Sequence, residues 1–168
     1  MSETGNSRGK KVVKWALIWG LVGFIGIQFI PVNRSNPPVV SEPNWDSPAT
    51  RAYAQRACFD CHSHKTNWPW YAYVAPVSWF VADHVNEARK ELNMSAWKLG
   101  DGDEAAKEVR EGSMPLWQYK LLHSEARLTD AETQEFISGL VATFGEEKKG
   151  RRKQEHETDE DEKTSNQH

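Results

Sequence analysis

The feature that most constrains this chain is an uninterrupted uncharged run near its N-terminus, Trp15 to Val32, reading WALIWGLVGFIGIQFIPV. A run of this kind is either hidden in a core or placed in lipid. As a helix its eighteen residues span roughly 27 Å at ~1.5 Å per residue, close to the hydrocarbon thickness of a bilayer. Lys14 is able to snorkel from its edge, and Trp15 and Trp19 suit the boundary between lipid and water. Arg8, Lys10, Lys11 and Lys14 precede the run and only Arg34 follows it closely, which by the positive-inside rule leaves the N-terminus in the cytoplasm. A cleaved signal peptide competes, but no small-x-small cleavage site follows, where the chain reads FIPVNRSNPPVV. A buried core helix is the third reading, and it leaves the abrupt stop and restart of charge unexplained. The sequence therefore predicts a single N-terminal transmembrane helix over 12–32 with the remainder of the chain exported.

The averages conceal a mosaic. A mean hydropathy of −0.73 excludes a polytopic membrane protein, and a net charge of −3 lacks the basic excess of a general nucleic-acid binder. Two cysteines exclude a disulfide-stapled scaffold and a four-thiolate zinc site. Divided by composition, 1–11 is a basic cytoplasmic tail, 12–32 the anchor, 33–47 a proline-rich linker, 48–145 a folded domain and 146–168 a charged tail. The linker reads as an extended spacer that lifts the domain off the membrane. The tail, EEKKGRRKQEHETDEDEKTSNQH, has no aliphatic or aromatic residue and is expected to be disordered. Its basic block, Lys148 to Lys153, precedes an acidic one, Glu155 to Glu162, and is either a solvated tail or a docking segment.

Several segments of the domain carry helix signals, and none alternates as a strand would. Pro48 to about Cys58 forms a first helix capped by Ser47 or Asp46. Val77 to Leu92 aligns Val77, Phe80, Val81, Val85, Ala88 and Leu92 behind Pro76. Asp103 to Glu111 is a short helix stopped by Gly112, and Thr129-Asp-Ala-Glu132 is a capping box opening a helix that Gly145 closes. The fold class is all-α. The domain is poor in aliphatic bulk yet holds Trp45, Trp68, Trp70, Trp79, Trp97 and Trp117. Either aromatics alone supply its core or a large flat cofactor completes it.

Cys58-Phe59-Asp60-Cys61-His62 is C-x-x-C-H, the attachment sequence for c-type haem. At a helix end, thiols three residues apart meet the two vinyl groups of one porphyrin, and the adjacent His62 lies under the iron as proximal ligand. A redox dithiol would want a thioredoxin-like βαβ setting, which is lacking, and a zinc site would need further ligands at sensible spacing. Export strengthens the haem reading, because c-type haem is attached outside the bacterial cytoplasm. The expected cofactor is one haem c, covalent through Cys58 and Cys61.

The second axial ligand is more open. In Ser113-Met114-Pro115 the proline disfavours helix at Met114, leaving a thioether on an extended loop, and such a soft ligand raises the reduction potential. Met94, in NMSAW, reads as packing. His84 falls on or beside the apolar stripe of the Val77–Leu92 segment and is the alternative ligand. His64 stands too close to His62 to reach the opposite face easily, and His123 reads as a surface residue. An open or water-bound iron is the third arrangement.

Three stretches, CFDCHSHKTNWPWYAYVAPVSWFVADHV, ELNMSAW and EGSMPLWQYKLLHSEARLTDAE, together resemble the small bacterial haem-binding domain family over about Ile30 to Leu140. Its members are membrane-anchored, exported, single-haem c-type proteins. The resemblance implies a cytochrome c-like small helical domain, Cys58 and Cys61 as haem-linking residues, His62 as proximal ligand and Met114 as distal ligand. This chain departs from the family's pattern at His64, Lys65 and Leu116.

The function expected from all this is a membrane-anchored periplasmic carrier of single electrons, held at the bacterial inner membrane, and not an enzyme. Trp68, Trp70, Trp79 and Trp117, with Tyr71, are expected to wall the haem. From Val32 to Gly145 eleven Lys and Arg face fifteen Asp and Glu, so a redox partner presenting a basic patch is expected, with salt-sensitive association. The rival is a haem-c sensor or small-ligand binder with a labile sixth ligand. A peroxidase would need distal acid–base groups, for which only His84 and His64 are candidates.

Overall fold

Side-chain caps open two of the helices in the computed structural model, which describes residues 4–98 and 102–145. The helices are α1 Thr4–Ile27, α2 Pro48–Ala57, α3 Phe59–His62, α4 Val77–Glu91, α5 Ala105–Arg110, α6 Trp117–Leu122 and α7 Asp130–Phe144. Short 3-10 turns occupy Trp70–Tyr73 and Ser124–Ala126. The all-α expectation holds: among the described residues the only β pairing is an isolated parallel bridge between Ser41 and Ala96. Ser47 caps α2 by accepting from the Thr50 amide at 3.1 Å. The capping box of α7 is complete, with Thr129 accepting from the Glu132 amide and Glu132 accepting from that of Thr129. Gly112 (φ +76°) and Gly145 (φ +88°) follow α5 and α7 in a backbone region that other residues rarely adopt. The charged tail and its two blocks lie outside the described residues.

The expectation of a transmembrane helix over 12–32 is corrected. No helix among the described residues is long and apolar enough to cross a membrane. α1 starts at Thr4 and ends at Ile27, so three lysines lie within it while the residues after Gln28 leave the helix. Its uncharged part, Trp15–Ile27, is about 20 Å long against a hydrocarbon core of ~30 Å. The eighteen-residue run is real, but Pro31 and the turn before it remove its last residues from the helix.

The core is Ala54 of α2, Phe59 of α3, Met94, Ala106 and Val109 of α5, and Phe136, Ile137 and Leu140 of α7. Trp45 closes it from the proline-rich segment, 5.6 Å from Phe144 between ring centroids, and Trp97 stacks on Phe144 at 4.8 Å. Trp68, Trp70, Trp79 and Trp117 take no part in this cluster. α2 and α7 touch most closely at Gly139: a β-carbon there would lie 2.0 Å from Thr50 Oγ1.

The proline-rich segment is extended, as expected, but it is laid along the domain instead of standing clear of it. Val40 and Ser41 donate backbone bonds to Ser95, Asn36 Nδ2 donates to the Thr66 carbonyl at 2.8 Å, and Pro43 is buried. Glu42 receives both Arg51 of α2 and Lys65. Backbone polar groups that proline cannot pair are satisfied by this docking.

Glu42 here and Glu132 in the cap of α7 make the fold acid-sensitive. The hydrogen bond from Arg51, with help from Lys65, lowers the Glu42 pKa to about 2, and the Thr129 amide, with Arg56, does the same for Glu132. Because both are depressed below the ordinary 4.5, their stabilisation is full above that pH and is lost as pH falls toward 2. Thermal melts followed by circular dichroism should therefore show Tm dropping through this window. Glu42→Gln should flatten part of the drop while lowering Tm at neutral pH.

Candidate functional site

Cys58 ends α2 and caps α3, a single turn that decides the geometry of the whole motif. Its carbonyl accepts from the amides of Cys61 (3.1 Å) and His62 (2.9 Å), so residues 58, 61 and 62 share one side of that turn. Both thiols are free and partly buried. Burial pushes the Cys58 thiol up to about 12 and that of Cys61 up to about 11, the latter assisted by the neighbouring Asp60. They are therefore protonated at neutral pH, the reverse of the acidified thiol that a redox dithiol needs. Among the described residues no three His, Cys, Asp or Glu side chains converge to hold a metal ion by themselves.

His62 is oriented by α4. Its Nδ1 lies 3.0 Å from the Ala88 carbonyl and 3.1 Å from that of Leu92. Carbonyl oxygens only accept, so the proton sits on Nδ1 and the Nε2 lone pair is left for a metal. Burial depresses the imidazole's pKa, keeping it neutral. The His62 carbonyl also accepts from the Met94 amide at 2.7 Å. Two protonated thiols beside an imidazole fixed in its metal-binding tautomer fit one iron porphyrin attached to the chain.

Asp60, inside the motif, ties in the distal part of the chain. Its carboxylate accepts from Tyr119 Oη of α6 at 2.7 Å and from the Asn67 amide at 2.9 Å. Burial and this carboxylate raise the Tyr119 pKa, so the phenol stays a donor. His123 stacks on Tyr119 at 4.0 Å, with Nδ1 3.1 Å from the Tyr119 carbonyl. Met114 lies three residues before α6, partly buried, in the loop that links α5 to α6, with its amide bonded to the Glu108 carbonyl at 3.1 Å. The Tyr119–Asp60 bond thus joins the helix after Met114 to the cysteine motif.

The other candidates separate clearly. Met94 is core, 1% exposed. His64 has both ring nitrogens engaged, Nδ1 with the Pro38 carbonyl and Nε2 with Asn93 Nδ2. His84 is exposed and packs on Phe80 at 4.1 Å, with Nδ1 3.1 Å from the Phe80 carbonyl. Of the four tryptophans, Trp68 and Trp79 are partly buried, and their Nε1 donors are buried without a partner among the described residues. Trp70 and Trp117 are 78% and 64% exposed. The sequence reading missed Tyr119 and Arg89. An acidic residue inside the motif was a signal for the first, since a carboxylate on a short buried turn needs donors.

The family model for a haem-binding domain matches residues 22–142. No match is found among curated proteins, nor among solved structures.

Proposed function

The chain belongs to the haem-binding domain family, and from that premise we propose that it is a monohaem c-type electron carrier. The observation that carries the reading is His62, whose Nδ1 proton is committed to Ala88 and Leu92 while Nε2 is left bare beside two protonated thiols. Cys58 and Cys61 would hold the haem covalently, each thiol supplying one thioether sulfur. When bound, the haem supplies one-electron Fe(III)/Fe(II) chemistry. His62 would bind the iron through Nε2, and Met114 would supply a thioether, a ligand that favours the ferrous state. The unpaired indole donors of Trp68 and Trp79 suit the ring's carboxylates.

Attachment of haem to cysteine pairs takes place outside the bacterial cytoplasm, so we place the domain in the periplasm. From Val12 to Ile25 α1 exposes apolar side chains, with Leu17 70%, Trp19 67% and Leu21 60% exposed, and this surface holds the N-terminal segment against the inner membrane without spanning it. Gln28 fastens its end to the domain, donating to the Ala75 carbonyl at 3.2 Å and accepting from the Ala75 amide at 2.9 Å. The acidic excess of the domain calls for a redox partner with a basic patch.

A reversible redox titration followed by absorption tests this. The ferric protein should be low-spin, and the reduced protein should bind carbon monoxide slowly. A high-spin ferric form with prompt carbon monoxide binding would contradict electron transfer and favour a haem-based sensor.

A further inference from the structure

Arg89 stands one residue after Ala88, whose carbonyl orients His62, and it has no counter-charge. Nε donates to the Ser63 carbonyl at 2.8 Å, and Nη1 donates to the Ser35 carbonyl at 2.9 Å. Nη2 donates to Asn36 Oδ1 and Thr66 Oγ1, each at 2.9 Å. All four acceptors are neutral, and among the described residues no carboxylate forms an ion pair with it. Its partners continue into the attachment motif. Ser63 Oγ donates to the Phe59 carbonyl at 2.7 Å, and Thr66 Oγ1 donates to the Asp60 carbonyl at 2.7 Å. The guanidinium is therefore linked, through Ser63 and Thr66, to the two residues between the cysteines, while the carbonyl of the preceding residue, Ala88, holds the proximal histidine.

A half-buried arginine usually acquires a carboxylate, because solvating the charge with neutral dipoles alone is less favourable. Here the arrangement preserves a full positive charge next to Cys61 and His62. We propose that Arg89 sets the redox balance of the site by acting as a fixed, uncompensated cation that disfavours the ferric over the ferrous state. It is a positioning and tuning residue, and the hydrogen bonds it makes go to the chain itself. This inference rests on the haem reading above. It adds a residue that lies outside the C-x-x-C-H motif, and it makes the docked proline-rich segment part of the electrostatic environment through Ser35 and Asn36.

The haem-loaded, full-length protein provides the test, by spectroelectrochemical titration of three variants. Arg89→Gln removes the charge, and Asn36→Asp places a carboxylate on the same guanidinium nitrogen. Each should lower the reduced-to-oxidised ratio at a fixed potential by about three- to tenfold, with the low-spin spectrum unchanged. Asn36→Ala removes one hydrogen bond without altering charge and should leave that ratio within twofold of the native value. If Arg89→Gln loads no haem, Asn36→Asp still decides the question. An unchanged ratio in Asn36→Asp, or an equal fall in Asn36→Ala, would overturn the proposal. A native protein without any haem couple would overturn the underlying functional reading, and this inference with it.

Discussion

Replacing Met114 with alanine should convert the ferric protein from low-spin to high-spin and speed carbon monoxide binding to the reduced form by about two orders of magnitude. Pro115 keeps Met114 out of a helix, the Glu108 carbonyl holds its amide, and Tyr119 three residues into the next helix fastens that helix to Asp60 of the attachment motif. A thioether on a loop tethered at both sides fits a second iron ligand whose loss would open the iron without loss of the porphyrin. His84→Ala is the matched control and should leave spin state and binding rate unchanged, since His84 is exposed and packed on Phe80. The loss of the low-spin form in His84→Ala, with its retention in Met114→Ala, would assign the ligand to His84 instead.

Gly139→Ala should destabilise the domain by about 3 kcal/mol, lowering Tm by roughly 10 °C or more. An added β-carbon would stand 2.0 Å from Thr50 Oγ1 and 2.8 Å from Thr50 Cγ2, both far inside contact distance. Thr50 is 2% exposed and bonded to the Ser47 cap, so it has no free direction in which to retreat. α7 would have to separate from α2, which itself packs against the helix of the cysteine motif. Thr50→Ala in the same background should restore part of the loss by removing the two nearest atoms. A melt unchanged by Gly139→Ala would show that the two helices do not pack as closely as this.

Local chemistry was legible in the sequence wherever a few adjacent residues decide the outcome. The Thr129–Glu132 box, the Ser47 cap, the stops at Gly112 and Gly145, and the C-x-x-C-H turn all depend on neighbours within one helical turn. The long uncharged run was legible as an apolar segment but not as a helix of a given length, because Pro31 and the turn at Gln28–Ile30 act on its far end. The proline-rich segment read as a free spacer because nothing local announces that Ser95, Thr66 and Arg89 wait for it more than twenty residues away. The same holds for Tyr119 and Asp60, which are brought together only by tertiary packing. Val77 to Leu92 read as one apolar stripe, yet α4 buries Ser78, Ala82 and Val85 while Val77 and Phe80 are exposed. Periodicity gave the helix there, and packing chose which of its faces is covered.

The central claim is covalent attachment of one haem to this chain, and its most direct measurement is the mass of the denatured full-length protein, produced with its N-terminal segment in a bacterium that attaches haem to exported proteins. The expected result is a mass increased by one haem and retained through denaturation and organic extraction. The Cys58→Ala, Cys61→Ala double variant should show no such increase. A native chain of unmodified mass, or haem retained by the double variant after denaturation, would contradict it.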